Sequence, residues 1–182
     1  MVASLGRTDG FLGNPKVKIP LPEGLQQVEG MMRTFGMGKQ ADELVTTMNR
    51  AAEAAVPEAK TLLVNSVKQM SVQDAKGILT GGDDAATQYF KRTTSCPLTE
   101  KFRPIVKKAM QKVKLAEKYD QFAGKAAQFG LIKAEDAQLD NYVTQKALDG
   151  LYLMIAEEEK AIRKDPVSAA SSLARKVFGA IQ

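Results

Sequence analysis

The sequence predicts an all-α protein, a single-domain bundle of about seven or eight helices that follows an extended, proline-rich N-terminal arm. The first observation is a stretch over residues 41–70 in which apolar residues recur every three or four positions, the period of one helix face. The second is the start of the chain, where glycines and prolines interrupt any such pattern. The third is the length of 182 residues, which ordinarily forms one domain with its own core. We therefore expect an arm over residues 1–22 and a helical domain over residues 23–182.

The arm is expected to lie extended over the helical body from Asp9 to Pro22, because its prolines fix φ and favour extended geometry in the residues before them. Its apolar residues are the candidate anchors and a candidate partner-binding surface: Phe11, Leu12, Val17, Ile19 and Leu21. Alternation with lysines around Val17 and Ile19 leaves a short β-strand open as an alternative. Such a strand needs a pairing partner, which another subunit could supply.

The central stretch is predicted to be the main helix of the bundle. Its periodic residues are Leu44, Met48, Ala51, Ala55, Ala59, Leu62, Leu63 and Met70. Alanine dominates the middle, so another helix can approach closely there. Pro57 lies inside the stretch, and an interior proline costs a helix about 3 kcal/mol. Two outcomes fit this pattern, namely a kink near residues 53–56 or two helices with Pro57 at the start of the second.

Local signals predict the remaining helices. Ser71 followed by Asp74 is typical of an N-terminal cap, and Asp83 is expected to cap the helix after it. Cys96 is interpreted as a small, semi-buried residue at a helix junction beside Pro97, in preference to a reactive thiol. The predicted helices span residues 23–35, a short helix from 71 to 80, one beginning at 83, then 98–113, 116–129, 140–164 and 168–181.

The composition excludes several kinds of site. Histidine is absent and Cys96 is the only cysteine, so a Ser-His-Asp triad, a Cys-His pair, a Cys/His zinc site and an intrachain disulfide are all impossible. We expect no catalytic residues, no metal and no cofactor. No apolar run approaches the roughly 20 residues that cross a bilayer, and the start MVASLGRTDGF lacks the features of a signal peptide. As written, the chain is expected to be soluble and intracellular.

The charged residues are segregated along the chain, although the net charge is only +5. Residues 101–118 carry seven cations against one acid: Lys101, Arg103, Lys107, Lys108, Lys112, Lys114 and Lys118. Residues 135–160 are mainly acidic, and Glu157, Glu158 and Glu159 are interpreted there as a solvated face or as salt-bridge partners of the basic helix. Three interpretations stay open. The basic segment is a solvated helix face, or it pairs with the acidic segment within the chain or across an oligomer, or it contacts nucleic acid or an anionic membrane surface.

A candidate polar cluster lies within one helical turn: Asn49, Arg50 and Glu53. Arg50 and Glu53 are three residues apart, the spacing of an ion pair along a helix. An enzyme without histidine would need carboxylates or lysines with perturbed pKa values in a pocket, and this cluster is the place where such chemistry could be built.

Several strings resemble a known family, the mainly bacterial domain-of-unknown-function family 4197 (DUF4197). They are DGFLGNPKVKIPLPEGL, MNRAAEAAVPEAK, KFRPIVKKAM and YVTQKALDGLYLMIAEEEKAIRKDP, and together they extend over nearly the whole chain. The resemblance implies an all-helical fold and brings no established activity. Many members carry an export or lipoprotein signal and an additional helix before DGFL, and MVASLG resembles the tail of that helix. A bacterial envelope or periplasmic location is therefore the alternative to an intracellular one.

These observations lead to one functional expectation and two alternatives. We expect a non-enzymatic helical scaffold or protein-interaction protein that self-associates or belongs to a larger assembly. The first alternative is a binding module for an anionic surface, either lipid or nucleic acid, or for a small hydrophobic ligand. The second is an enzyme built around Arg50 and Glu53.

Overall fold

The computed structural model describes residues 1–27, 29–130 and 137–168 of the protein. Over these residues the chain is all-α, as predicted, with nine α-helices and one turn of 3₁₀ helix at Val56–Glu58. The helices are α1 (Val2–Leu5), α2 (Glu23–Gln26), α3 (Glu29–Thr34), α4 (Gly38–Ala55), α5 (Ala59–Lys68), α6 (Val72–Thr80), α7 (Ala85–Met110), α8 (Lys114–Gln128) and α9 (Leu139–Lys164). The terminal helix predicted for residues 168–181 lies outside the described residues, apart from its first position.

Three long helices form the centre of the bundle: α4, α7 and α9. The most extensive packing joins α7 to α9, and α4 packs against both. Each helix buries one apolar stripe, which in α7 runs through Leu98, Phe102 and Val106 at intervals of four residues. Four of the five alanines of α4 are buried as well, which is consistent with the close helix approach that the sequence predicts. No helix among the described residues is both long and apolar enough to span a bilayer.

Proline positions decide where these helices end, but only in part. At Pro57 the predicted break is present, since α4 ends at Ala55 and α5 begins after the 3₁₀ turn. At Pro97 the predicted junction is wrong, because α7 continues through both Pro97 and Pro104. Each proline removes one hydrogen bond from the helix. The buried stripe from Leu98 onward stays in register with Thr94 before it, so burial in the core holds the helix together. Cys96 is therefore exposed in mid-helix, not semi-buried at a junction.

Helix α6 begins as the sequence predicts. The Ser71 hydroxyl accepts a hydrogen bond from the Asp74 N–H at 3.0 Å, and the Asp74 carboxylate accepts one from the Ser71 N–H at 3.2 Å. The next prediction is wrong, because the residue before α7 is Asp84 and its side chain makes no bond to the helix backbone. The α7 N-terminus is capped instead by a residue of α9.

The N-terminal arm packs on the bundle that follows it. After α1 it runs through turns, and none of its described residues forms a β-strand. Phe11, Val17, Ile19 and Leu21 are buried in the same core as α4, α7 and α9, and Leu12 is half-buried. Where the arm meets α9, a Cβ on Gly150 would lie 2.9 Å from Cε1 of Phe11 and 3.2 Å from Cβ of Val17. Glycine at this position lets the arm approach the helix.

Candidate functional site

The predicted polar cluster lies on the face of α4 that meets the arm. Glu53 is 4% exposed and Asn49 is fully buried, whereas Arg50 is half-buried. The three side chains are adjacent on one helix, so the structure brings together the residues that the sequence grouped.

Glu53 and Arg50 bind the beginning of the arm. One carboxylate oxygen of Glu53 (Oε1) accepts hydrogen bonds from the backbone N–H groups of Phe11 at 3.0 Å and Leu12 at 3.1 Å. The other oxygen (Oε2) accepts one from Arg50 Nη1 at 2.7 Å, and Arg50 Nη2 reaches the carboxylate of Asp9 at 2.9 Å. The hydrogen bond to Glu53, and then the one to Asp9, raise the pKa of Arg50 above its ordinary value. We call this group (Asp9, Arg50, Glu53) the arm clasp.

Asn49 binds the arm a few residues later. Its side-chain oxygen accepts a hydrogen bond from the Ile19 N–H at 2.8 Å, and its side-chain nitrogen donates to the Ile19 carbonyl at 2.9 Å. The two bonds satisfy the N–H and the carbonyl of Ile19, the same backbone groups that a neighbouring β-strand would bind. Ile19 therefore needs no strand partner. The hydrogen-bonding groups of the cluster are thus engaged by the chain's own arm, and the arrangement accounts for these buried polar side chains without any chemistry. Use of the arm by a partner stays a prediction.

A second carboxylate clasp lies at the start of α7, and sequence reasoning missed it. Glu159 of α9 is 8% exposed and accepts hydrogen bonds at 2.8 Å from the backbone N–H groups of Ala86 and Thr87 and from the Thr87 hydroxyl. Arg163, one turn further along α9, pairs with the same carboxylate at 2.8 Å. Burial by itself raises the pKa of Glu159, but the hydrogen bonds from Ala86, Arg163 and Thr87 outweigh it and leave the pKa below its ordinary value. We call this group (Thr87, Glu159, Arg163) the helix clasp.

The sequence interpretation of Glu157, Glu158 and Glu159 as a solvated face or as partners of the basic helix is wrong for two of the three residues. Glu159 is buried in the helix clasp, and Glu157 pairs with Lys16 of the arm at 2.9 Å. Glu158 alone is exposed, and it enters none of the ion pairs that the described residues form.

The basic segment of residues 101–118 spans the end of α7, the connection after it and the start of α8. All seven cations are exposed. Within the described ranges, no ion pair joins any of them to the acidic segment or to another carboxylate. The internal pairing that the sequence left open is thus not observed in this part of the chain.

An apolar groove of about 740 Å³ opens between α5, α6, α7 and α9, above the helix clasp. Its apolar lining comes from residues far apart in the sequence: Met1, Leu63, Ile78, Leu79, Ala86, Phe90, Ile155, Ile162 and Pro166. Its charged lining consists of Glu158, Glu159 and Arg163. Leu79 and Ile162 are unusually exposed for their type, at 78% and 51%. Large apolar side chains that face solvent around a concave surface are typical of a binding site.

A polar groove of about 980 Å³ lies between the arm, α2, α7 and α9. Charges of both signs line it, including Glu23, Arg103, Lys146 and Asp149. Arg103 thus faces a different surface from the lysines of the basic segment. In the described part of the chain, no group of three or more cysteine or acidic residues is arranged to hold a metal ion.

Comparison with known proteins identifies the family. The family model described as "Protein of unknown function (DUF4197)" matches residues 1–179. The chain belongs to this family. No curated protein and no solved structure matches it. Membership in DUF4197 confirms the resemblance seen in the sequence, and since the family's description gives no activity, function has to be argued from the surfaces described above.

In this DUF4197 domain, the sequence grouped Arg50 and Glu53 of the arm clasp but did not predict Asp9 or the contact with the arm. It identified neither the helix clasp nor the apolar groove. Glu159 and Thr87 are 72 residues apart, and the groove draws on five separate stretches of chain. One signal for the groove was present in the sequence, namely the large apolar residues Val72 and Leu79 of α6. Both side chains are exposed in the fold, because no neighbouring helix among the described residues covers them.

Proposed function

We propose that this protein is a non-enzymatic helical interaction module that binds an amphipathic helix of a partner protein in the apolar groove. The observation that carries the proposal is the exposure of Leu79 and Ile162 in a groove whose lining is mainly apolar. An amphipathic helix buries its apolar face in such a groove through anchors spaced three, four and seven residues apart. The proposal is a specific form of the protein-interaction role expected from the sequence.

The construction of the groove supports a preformed site. Its floor includes Glu159 and Arg163, whose hydrogen bonds join α9 to the N-terminus of α7 and, through the Ile78 carbonyl, to α6. These bonds connect three of the four helices that form the walls. A wall held in this way loses little conformational freedom when a partner binds, which favours affinity.

The charge at the rim favours a basic partner. Glu158 is the exposed charged residue of the lining, and it enters no ion pair among the described residues, whereas Glu159 and Arg163 neutralise each other. A lysine or arginine beside the apolar stripe of the partner would pair with Glu158. We therefore commit to a basic amphipathic helix as the occupant.

The test uses three synthetic helical peptides of equal length. The first has a stripe of leucines along one face and lysines elsewhere, and the second has the same stripe with glutamates in place of the lysines. The third has the composition of the first peptide in scrambled order, so that it has no leucine stripe. Fluorescence anisotropy measures their dissociation constants. The basic amphipathic peptide is expected to bind at least about tenfold more tightly than the scrambled peptide, because its stripe buries one or two leucines. It should also bind more tightly than the glutamate peptide, because glutamates would be repelled by Glu158. Leu79→Glu should weaken binding of the basic peptide by about tenfold or more.

Phe35→Glu is the matched control, because Phe35 is also 78% exposed and does not line the groove. It should leave binding unchanged. Equal binding of all three peptides, or equal sensitivity to both variants, would contradict the proposal. Sedimentation velocity covers a further occupant: a dimer that Leu79→Glu dissociates would mean that a second copy fills the groove, and the partner-helix proposal would be wrong.

A further inference from the structure

The exposed lysines at the junction of α7 and α8 form one continuous surface. We define the basic corner as Lys101, Lys107, Lys108, Lys112, Lys114 and Lys118. Helix α7 ends at Met110 and α8 begins at Lys114, so three residues separate the helices. All but Lys101 therefore belong to the last turn of α7, the connection or the first five residues of α8.

The lysines on both helices are exposed to solvent. Lys101 and Lys108 are seven residues apart, two turns of α7, and both lie beside the buried stripe of Leu98, Phe102 and Val106. Lys114 and Lys118 are one turn apart on α8, beside the buried Leu115 and Tyr119. Both helices thus present lysine on their solvent faces.

The positive charge of the basic corner is not compensated by ion pairs in the described part of the chain. None of its six lysines enters an ion pair within residues 1–27, 29–130 and 137–168. Lys107 shares a groove with Glu117, Asp120 and Asp140, so acidic side chains lie near this lysine without pairing with it. On α9, Glu157 pairs with Lys16 and Glu159 pairs with Arg163. Six like charges held together by two helices repel one another, and an anionic surface relieves that repulsion.

We propose that the basic corner docks the protein on an anionic phospholipid membrane. Clusters of four to eight basic residues are the size that binds anionic headgroups, and each lysine near the surface strengthens binding by about fivefold. Lysine is a compact point charge suited to headgroup phosphates, whereas base recognition in duplexes uses mainly the planar fork of arginine. Single-stranded nucleic acid needs exposed aromatic rings, and the aromatic residues of this stretch, Phe102 and Tyr119, are buried. The membrane is therefore the partner that the chemistry favours.

The experiment is co-flotation of the whole protein with vesicles of pure phosphatidylcholine or of phosphatidylcholine mixed with phosphatidylglycerol. A corner variant replaces four lysines by glutamine: Lys107, Lys108, Lys112 and Lys114. The control variant replaces four exposed lysines elsewhere that also enter no ion pair among the described residues: Lys39, Lys60, Lys68 and Lys76. Both variants carry the same net charge, and thermal unfolding monitored by circular dichroism establishes that both are folded.

The wild type and the control variant should float with the phosphatidylglycerol vesicles at low salt and detach at high salt, with a difference no larger than about tenfold between them. The corner variant should bind about 100-fold more weakly or worse. Absence of flotation at low salt, or equal losses in both variants, would overturn the proposal. So would duplex DNA that binds the corner as tightly as the vesicles do. Leu79→Glu should float like the wild type. This variant therefore tests membrane binding independently of helix binding in the apolar groove.

Discussion

Glu53 and Glu159 make the same arrangement of bonds on different helices. Each carboxylate accepts hydrogen bonds from two consecutive backbone N–H groups of a distant segment, Phe11 and Leu12 for Glu53 and Ala86 and Thr87 for Glu159. Each also pairs with an arginine about one turn away on its own helix. The two clasps fasten the arm to α4 and the start of α7 to α9. Their position in the fold accounts for these two buried carboxylates as structural contacts.

The arm clasp should contribute strongly to stability. Glu53→Ala leaves the Phe11 N–H buried without its acceptor and Arg50 without its main partner, so the free energy of unfolding should fall by about 2–4 kcal/mol. Urea unfolding measures the change, and limited proteolysis should show faster cleavage within the arm. Asp42→Asn, which weakens the exposed pair with Arg33, is the control and should cost much less stability than Glu53→Ala, because solvent screens that pair. Equal losses in the two variants would show that Glu53 is no more than a surface charge.

The helix clasp should make stability depend on pH. Since the pKa of Glu159 is lowered in the folded state, its stabilising effect is fully present above the ordinary pKa of 4.5 and is lost as the pH falls through the lowered value. The stability difference between the wild type and Glu159→Gln should therefore be largest near neutral pH and shrink below about pH 4.5. Urea unfolding across the acid range measures it. Glu158→Gln, at the exposed neighbouring position, controls for the loss of one negative charge and should cost less stability at neutral pH than Glu159→Gln.

Replacing Gly150 by alanine should destabilise the protein, because the arm approaches α9 closely at this glycine. Gly77→Ala in α6 meets no atom within 4 Å, so it should raise the free energy of unfolding by about 1 kcal/mol through helix propensity. Gly150→Ala brings the same gain, but its Cβ collides with Phe11 and Val17, which are held in the core. It should leave the protein less stable than the wild type. If the Gly150→Ala protein were as stable as the Gly77→Ala protein, the arm would have shifted away from α9 without a loss of stability, which would contradict this prediction.

The position of Cys96 can be tested by thiol chemistry. Because the side chain is exposed in mid-helix, the folded protein should react with Ellman's reagent at one equivalent and without prior unfolding. The reaction rate should lie within about tenfold of the rate in denaturant. Protection by orders of magnitude in the folded state would instead favour the semi-buried junction that the sequence predicts.

The sequence by itself determined the elements that depend on neighbouring residues. Apolar periodicity predicted the helical class, Pro57 the break after α4, and Ser71 with Asp74 the start of α6. Because such signals act within one or two turns, they can be identified along the chain without knowledge of the fold. The grouping of Asn49, Arg50 and Glu53 followed for the same reason, since all three lie on one turn of α4.

Only the tertiary structure decided what those elements bind. Helix α7 continues through Pro97 because core burial outweighs the lost hydrogen bond. The residues around Pro97 do not indicate how deeply the helix is buried, so the sequence alone could not predict this outcome. Asp84 precedes α7, yet Glu159 caps it from 73 residues away, and the apolar groove exists only where four helices meet. Contacts between residues so distant in sequence depend on how whole helices pack. The sequence therefore predicted the helical class and the basic segment, and the packing of the helices created the clasps and the groove.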